Sequence, residues 1–141
     1  MHDLDEVASE LALGVGMLRR RLRQLPTPDE VSEPEMAALA RLDRGGPATN
    51  SELARLEQIS PQSMNGTLAG LEARGLVARS ADPADRRCVV LALTDAGRDA
   101  VRQRRAARRR QLADALQQLT AEEVEALQAA APVIARLADV L

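Results

Sequence analysis

The residues best equipped for chemistry lie in Asp82-Pro83-Ala84-Asp85-Arg86-Arg87 and in Ser60-Pro61-Gln62-Ser63-Met64-Asn65-Gly66-Thr67. In the first group two adjacent guanidiniums follow a Pro and Asp turn signal, and a planar guanidinium can grip phosphate oxygens in pairs or enter a narrow groove. Asp85 and Arg87 are two residues apart. On an extended strand they share a face, so the carboxylate can orient the guanidinium. In the second group, Gln and Asn amides can bond adenine edges bidentately, and Ser or Thr hydroxyls can reach bases or phosphates. Both sets point to duplex DNA. No nucleophile with an adjacent base and no paired carboxylate site is apparent. The single Cys, Cys88, and the single His, His2, exclude an internal disulfide and a His-rich metal site. Neither a cofactor, a metal nor an enzymatic activity is expected.

The elements that would position these groups are legible. Two aliphatic runs, Leu76-Val77-Ala78-Arg79 and Val89-Val90-Leu91-Ala92-Leu93, flank the Arg pair and read as a β-hairpin with a cationic tip. Thr49-Asn50-Ser51-Glu52 caps a short helix bearing Leu53, Leu56 and Ile59. Ser60-Pro61 then opens another, with Met64, Leu68 and Leu71 on one face and Gly75 at its end. That stripe faces inward and leaves Gln62, Ser63, Asn65, Gly66, Thr67 and Ala69 outside. Two short capped helices joined by a tight turn, followed by a hairpin, make a winged helix-turn-helix. Upstream, Ser32-Glu33-Pro34-Glu35 is a capping box for a helix through Met36, Leu39 and Leu42, stopped at Gly45-Gly46-Pro47. Downstream, Thr94-Asp95-Ala96-Gly97 opens a long helix to about Gln118, with Gly97 in the first turn, where low helix propensity costs least.

Both ends of the chain carry apolar seams of heptad period. The first is Leu4, Ala8, Leu11, Val15, Leu18, Leu22 and Leu25, on a helix from about Asp3 to Gln24 ended by Pro26 and Pro28. The last is Val124, Leu127, Ala131, Ile134, Ala138 and Leu141, entered through the capping box Thr120-Ala121-Glu122-Glu123. They read as packing across a homodimer axis, the alternative being intramolecular packing onto the central domain. The expected fold is mainly α with a small β-hairpin wing. Residues 1–31 form an N-terminal dimerisation helix, 32–97 the winged domain, and 98–141 the connecting and C-terminal dimerisation helices.

Composition agrees with this layout. With 45% hydrophobic residues in 141 the chain can bury a core, and without Phe, Tyr or Trp that core must be aliphatic, which suits helix-on-helix packing. Every basic residue is Arg. The segment from Met36 to Arg110 holds 14 Arg against 8 acidic residues, whereas the flanks together hold 5 against 13. A cationic middle between acidic ends suits local DNA contact beside separate oligomerising segments. The opening Met1-His2-Asp3-Leu4-Asp5-Glu6 lacks the basic start and apolar run of a signal peptide, and no apolar stretch could span a bilayer. A cytoplasmic protein without a membrane partner is expected.

The chain resembles the MarR family of transcriptional regulators. The resemblance rests on Asn50-Ser51-Glu52-Leu53-Ala54, Ser60-Pro61-Gln62-Ser63-Met64, Leu71-Glu72-Ala73-Arg74-Gly75-Leu76-Val77-Ala78-Arg79, Asp82-Pro83-Ala84-Asp85-Arg86-Arg87 and Leu91-Ala92-Leu93-Thr94-Asp95-Ala96-Gly97, in that order. It implies a homodimer that reads a palindromic operator, with one helix in each of two successive major grooves and the wings in flanking minor grooves. It assigns Arg87 to the minor groove, Asp85 to holding it, and Arg86 to phosphate. Gln62, Ser63 and Asn65 are the residues expected in the major groove, and Ser60, Pro61, Gly66 and Thr67 are expected at the DNA-binding surface beside them. Many members carry an Arg near Gly66, so this chain leans more on its wing. Arg79 either contacts phosphate or pairs with a neighbouring acid. The resemblance also implies release of the repressor by a small anionic or phenolic effector, in a pocket that Met17, Leu18, Met36 and Leu39 could line. Members that sense oxidants do so through a Cys in the N-terminal helix, which this chain lacks, so Cys88 reads as a packed or half-exposed residue. The alternative function is a winged-helix protein-interaction module without sequence-specific DNA binding.

Arg98, Arg102, Arg105 and Arg109 form a basic stripe on the long helix, within a run that includes Arg104, Arg108 and Arg110. The stripe could flank DNA, attract an anionic ligand, or simply be solvated and paired with acids.

Overall fold

The computed structural model describes residues 1–27 and 29–141. The elements run α1 (Leu4–Gln24), α2 (Glu33–Gly45), β1 (Ala48–Thr49), α3 (Asn50–Glu57), α4 (Pro61–Ala73), β2 (Val77–Ala81), β3 (Val89–Leu93), α5 (Asp95–Leu116) and α6 (Ala121–Asp139). They form two compact units, Met1–Arg105 and Ala106–Leu141. The expected stop at Pro28 lies outside the described residues; α1 already ends at Gln24, where Leu25 turns extended.

The first unit is organised by one aliphatic core. Met36, Leu39 and Leu42 of α2 pack with Leu53, Met64, Leu68, Leu71, Val77, Leu91 and Val101. Leu39, Leu68 and Leu71 are wholly enclosed, each contributing about 1.5–3 kcal/mol of burial free energy. The caps inferred from sequence are in place. Ser32, Thr49 and Thr120 each accept from the N3 amide while Glu35, Glu52 and Glu123 reach back to the cap amide. Gln58 ends α3 in the left-handed region, which turns the chain before Ile59, so Ile59 stands exposed beyond the helix rather than on it.

The sheet has one strand more than a hairpin. β3 pairs antiparallel with β2, from Val77 opposite Leu93 to Ala81 opposite Val89, and also with β1, Ala48 opposite Leu91. A two-residue strand behind Gly45-Gly46-Pro47 has no alternating pattern of its own, so nothing in its sequence announced it. The pairing ties the entrance of α3 to the centre of the sheet.

At the exit of the hairpin the backbones close tightly. Thr94 Oγ1 donates to the Gly75 carbonyl at 2.6 Å and accepts from the Gly97 amide at 3.1 Å. A Cβ at Gly97 would overlap the Leu76 carbonyl oxygen. Gly97 is therefore demanded by close backbone approach, a stronger reason than its place in the first turn.

The terminal helices bury none of their residues fully. On α1, Leu4, Leu13, Met17 and Leu18 are more than half exposed. On α6, Leu127, Val133, Ile134 and Leu137 are exposed at 40–51%, far above what a packed core position allows. The helix continues through Pro132, which cannot donate to the Gln128 carbonyl one turn back.

Candidate nucleic-acid interface

α3 and α4 are fixed to each other at their starts and along their apolar faces. Asn50, in the first turn of α3, donates its amide Nδ2 to the Pro61 carbonyl at 3.1 Å, and its buried Oδ1 finds no protein partner among the described residues. Leu53 and Ala54 on α3 and Met64, Leu68 and Leu71 on α4 are buried. The opposite face of α4 is open: Pro61, Gln62, Ser63, Asn65, Gly66 and Ala69 are exposed, and Thr67 is half-buried.

The hydroxyls on this face are partly committed. Ser60 Oγ accepts from the Ser63 amide at 3.1 Å and donates to Ser63 Oγ at 2.9 Å. Ser60 is thus spent on capping, while the Ser63 hydroxyl retains its proton for an outside acceptor. Thr67 Oγ1 donates back to the Ser63 carbonyl at 3.2 Å, so what it offers outward is an acceptor lone pair and a methyl. Nothing lies within 4 Å of where a Cβ at Gly66 would stand, so the helix surface there is bare. The face presents two amides and one hydroxyl donor, a set suited to base edges.

The wing differs from the expected geometry in one respect. Asp85, Arg87 and Cys88 lie in the turn before β3, which begins at Val89, so strand alternation is not what brings the acid and the guanidinium together. A short turn does so instead. The Asp85 Oδ1 accepts from the Arg87 amide and from Arg87 Nε, both at 3.1 Å, and Oδ2 accepts from Nη2 at 3.2 Å. Cys88 N donates to the Asp85 carbonyl and Asp82 N to the Cys88 carbonyl, at 3.0 and 2.9 Å. The Arg87 side chain remains 91% exposed. It is held by a bidentate acid yet open to solvent. Arg87 bonding lowers the Asp85 carboxyl below the usual range, keeping it ionised. Arg86 is exposed and makes none of the ion pairs found among the described residues.

Cys88 is half-buried, and the Asp85 charge pushes its thiol up, away from the reactive thiolate. The Arg79 guanidinium bonds the Glu72 carboxylate at the end of α4. The basic run on α5 is largely paired. Arg98 meets Asp95 at 2.6 Å, Arg102 meets Asp99, and Arg105 meets Asp43 at 2.9 Å. Arg104, by contrast, is buried against Asp29, Glu33 and the Val31 carbonyl. Its place within a long Arg run concealed this in the sequence.

The four residues expected to line an effector pocket are not brought together. Met36 and Leu39 belong to the core, 8% and 0% exposed, because the apolar stripe of α2 packs on α3 and α4. Met17 lines a cleft of about 270 Å³ with Arg20, Arg21 and Gln24, and Leu18 is exposed on α1. Among the described residues, no group of three His, Cys, Asp or Glu could hold a metal, and no helix is long and apolar enough to cross a membrane.

The MarR family model matches residues 31–89, from the approach to α2 to the start of β3. An uncharacterized HTH-type transcriptional regulator of Mycobacterium bovis is 35% identical over 133 residues, covering 94% of this chain and 93% of its own length. This chain belongs to the MarR family. An HTH-type transcriptional repressor of Bacillus subtilis is 30% identical over 134 residues, covering 92% of this chain and 85% of its own. The crystal structure of a transcriptional regulator protein from Pseudomonas aeruginosa superimposes with a TM-score of 0.83 at 33% identity, covering 95% of this chain and 94% of that one. The winged helix-turn-helix fold is the one expected. As a MarR regulator the protein acts on transcription through DNA and is not an enzyme.

Proposed function

We propose that this MarR regulator is a cytoplasmic repressor that binds a palindromic operator as a homodimer. Its Gln62, Ser63 and Asn65 read the major groove, Arg87 enters the minor groove under the control of Asp85, and Arg86 contacts phosphate. The observation that carries the reading is the pairing of an exposed polar face on α4, anchored by Met64, Leu68 and Leu71, with an Arg87 that is 91% exposed and bidentately braced. Side chains aimed outward from rigid supports lose little freedom when a partner arrives. Residues 32–97 do the reading in this account, and residues 1–31 and 98–141 supply the dimer contacts. Support for the dimer comes from the apolar side chains that α1 and α6 each leave exposed.

Release by a small anionic or phenolic effector belongs to the same reading. Its support is the cleft at Met17, where Arg20 and Arg21 supply positive charge beside an apolar side chain. Titration of a labelled palindromic duplex and of its isolated half-site, with the mass of the complex measured by light scattering, tests the proposal. Two chains per full site and much weaker half-site binding are expected. One chain per duplex with equal affinity for both would overturn it.

A further inference from the structure

The segment from Asp29 to Glu35 is gripped from two directions by guanidiniums. Arg104 on α5 is the one charged residue fully buried among those described, its side chain 6% exposed. Its Nε and Nη2 donate to Asp29 Oδ2 and Oδ1 at 3.2 and 2.7 Å, and its Nη1 to Glu33 Oε1 at 3.0 Å. Nη2 also donates to the Val31 carbonyl at 2.5 Å. Asp29 Oδ1 accepts in turn from the Val31 amide at 3.1 Å, so the segment folds around the guanidinium. From the other side comes Arg74, the C-cap of α4. Its Nη1 donates to the Glu30 carbonyl at 3.2 Å, and its Nη2 bonds the Glu35 carboxylate. Residues 29, 31 and 33 thus serve Arg104, while residues 30 and 35 serve Arg74.

A buried guanidinium is costly unless well bonded: exchanging a whole buried ion pair for apolar residues often costs no stability, whereas removing one partner alone leaves the others unpaired and is destabilising. What a fully satisfied one supplies is a fixed geometry for its partners. The apolar stripe of α4 sets how deeply the helix sits, but its C-terminal end is tied down by Arg74, and the anchor points of Arg74 lie on the segment that Arg104 holds.

We propose that Arg104 is a positioning residue for DNA binding. It fixes the 29–35 segment, and through Arg74 that segment sets the attitude of α4 and of its exposed face. Arg104 does this without touching DNA. The proposal rests on α4 as the base-reading helix, although the mechanical link can be measured without DNA.

The test uses the full chain as wild type, Arg104→Met, Arg104→Lys, Arg74→Met and the Arg104→Met/Arg74→Met double variant. Amide hydrogen exchange should quicken in Arg104→Met at Arg74, Gly75 and Leu76, whose amides bond into the last turn of α4, and leave α3 unchanged. Arg104→Lys should restore part of the protection. Uniform acceleration, or none, would overturn the link. Operator affinity should fall about tenfold in Arg104→Met, within the usual range for coupled sites. The salt slope should be unchanged, and the double variant should lose no more than the worse single one. Unaltered affinity, additive losses, or a slope reduced by about one, the mark of a lost phosphate contact, would each refute the positioning role. If wild type itself fails to discriminate between duplexes, the reading of α4 is what fails, and the exchange pattern still decides the link. Should Arg104→Met not fold, Asp29→Asn, which keeps volume and removes one of the two acidic partners of Arg104, carries the same comparisons.

Discussion

Gly97 packs against Leu76 so closely that a Cβ at Gly97 would overlap the Leu76 carbonyl oxygen and come within 3.2 Å of Leu93 Cδ2. The same carbonyl accepts from the Thr94 amide at 3.2 Å, so it cannot move aside without breaking the join between hairpin and α5. Gly97→Ala should therefore lower stability by about 1–3 kcal/mol, the usual cost of overpacking, despite the better helix propensity of Ala. Urea unfolding followed by circular dichroism measures this. Unchanged or raised stability would mean that α5 can shift away from Leu76.

The wing arginines should separate by salt dependence. Arg86→Ala should weaken binding to all duplexes alike and reduce the salt slope by about one. Arg87→Ala should cost more on operators with A·T-rich flanks, where the minor groove is narrow. Thermal unfolding should not move in either variant, because both side chains face solvent. Fluorescence anisotropy with labelled duplexes at two salt concentrations checks all three points.

The Glu35 carboxyl responds to opposing influences. Burial pushes it up, but the Ser32 amide and the Arg74 guanidinium outweigh burial and hold it below the usual carboxylate value. A carboxyl more acidic in the folded than in the unfolded chain stabilises the fold above its unfolded pKa, and that contribution is lost as pH falls through the lowered folded value. Glu35→Gln should accordingly be less stable than wild type near neutrality, by about 1 kcal/mol, the usual size of a lost capping partner. The gap should close as pH falls below the ordinary carboxylate range. A gap that persists at low pH would show that shape, not charge, is what the position requires.

Much of this was written plainly in the chain. The capping boxes at Ser32, Thr49 and Thr120 place three helix starts, because cap residues act through neighbours three positions away. The stripe Met64, Leu68 and Leu71 identifies the inward face of α4 and, by subtraction, its outward one. What escaped depended on distant partners. β1 exists only because β3 lies beside it. The burial of Arg104 depends on Asp29 and Glu33, more than 70 residues earlier, and local sequence gives no sign of it. Asp85 and Arg87 do pair, but through a turn whose shape alternation does not describe. Met36 and Leu39 had the spacing of an apolar stripe, and a stripe alone does not distinguish a core from a pocket wall.

Gly66 offers a further test of the exposed face. Its surroundings are open, so Gly66→Ala should stabilise the chain by about 0.5–1 kcal/mol through helix propensity alone. Thermal unfolding measures the gain. A loss of stability would mean that the bare surface is not bare.

The central claim is selective DNA binding through α4 and the wing. A gel-shift titration compares the duplex upstream of the protein's own gene with a scrambled duplex of equal length, at two salt concentrations. Tight binding to the native duplex that weakens steeply with salt, and far weaker binding to the scrambled one, is the predicted result. Equal and weak binding to both would contradict the account and leave the winged domain as a surface for protein partners.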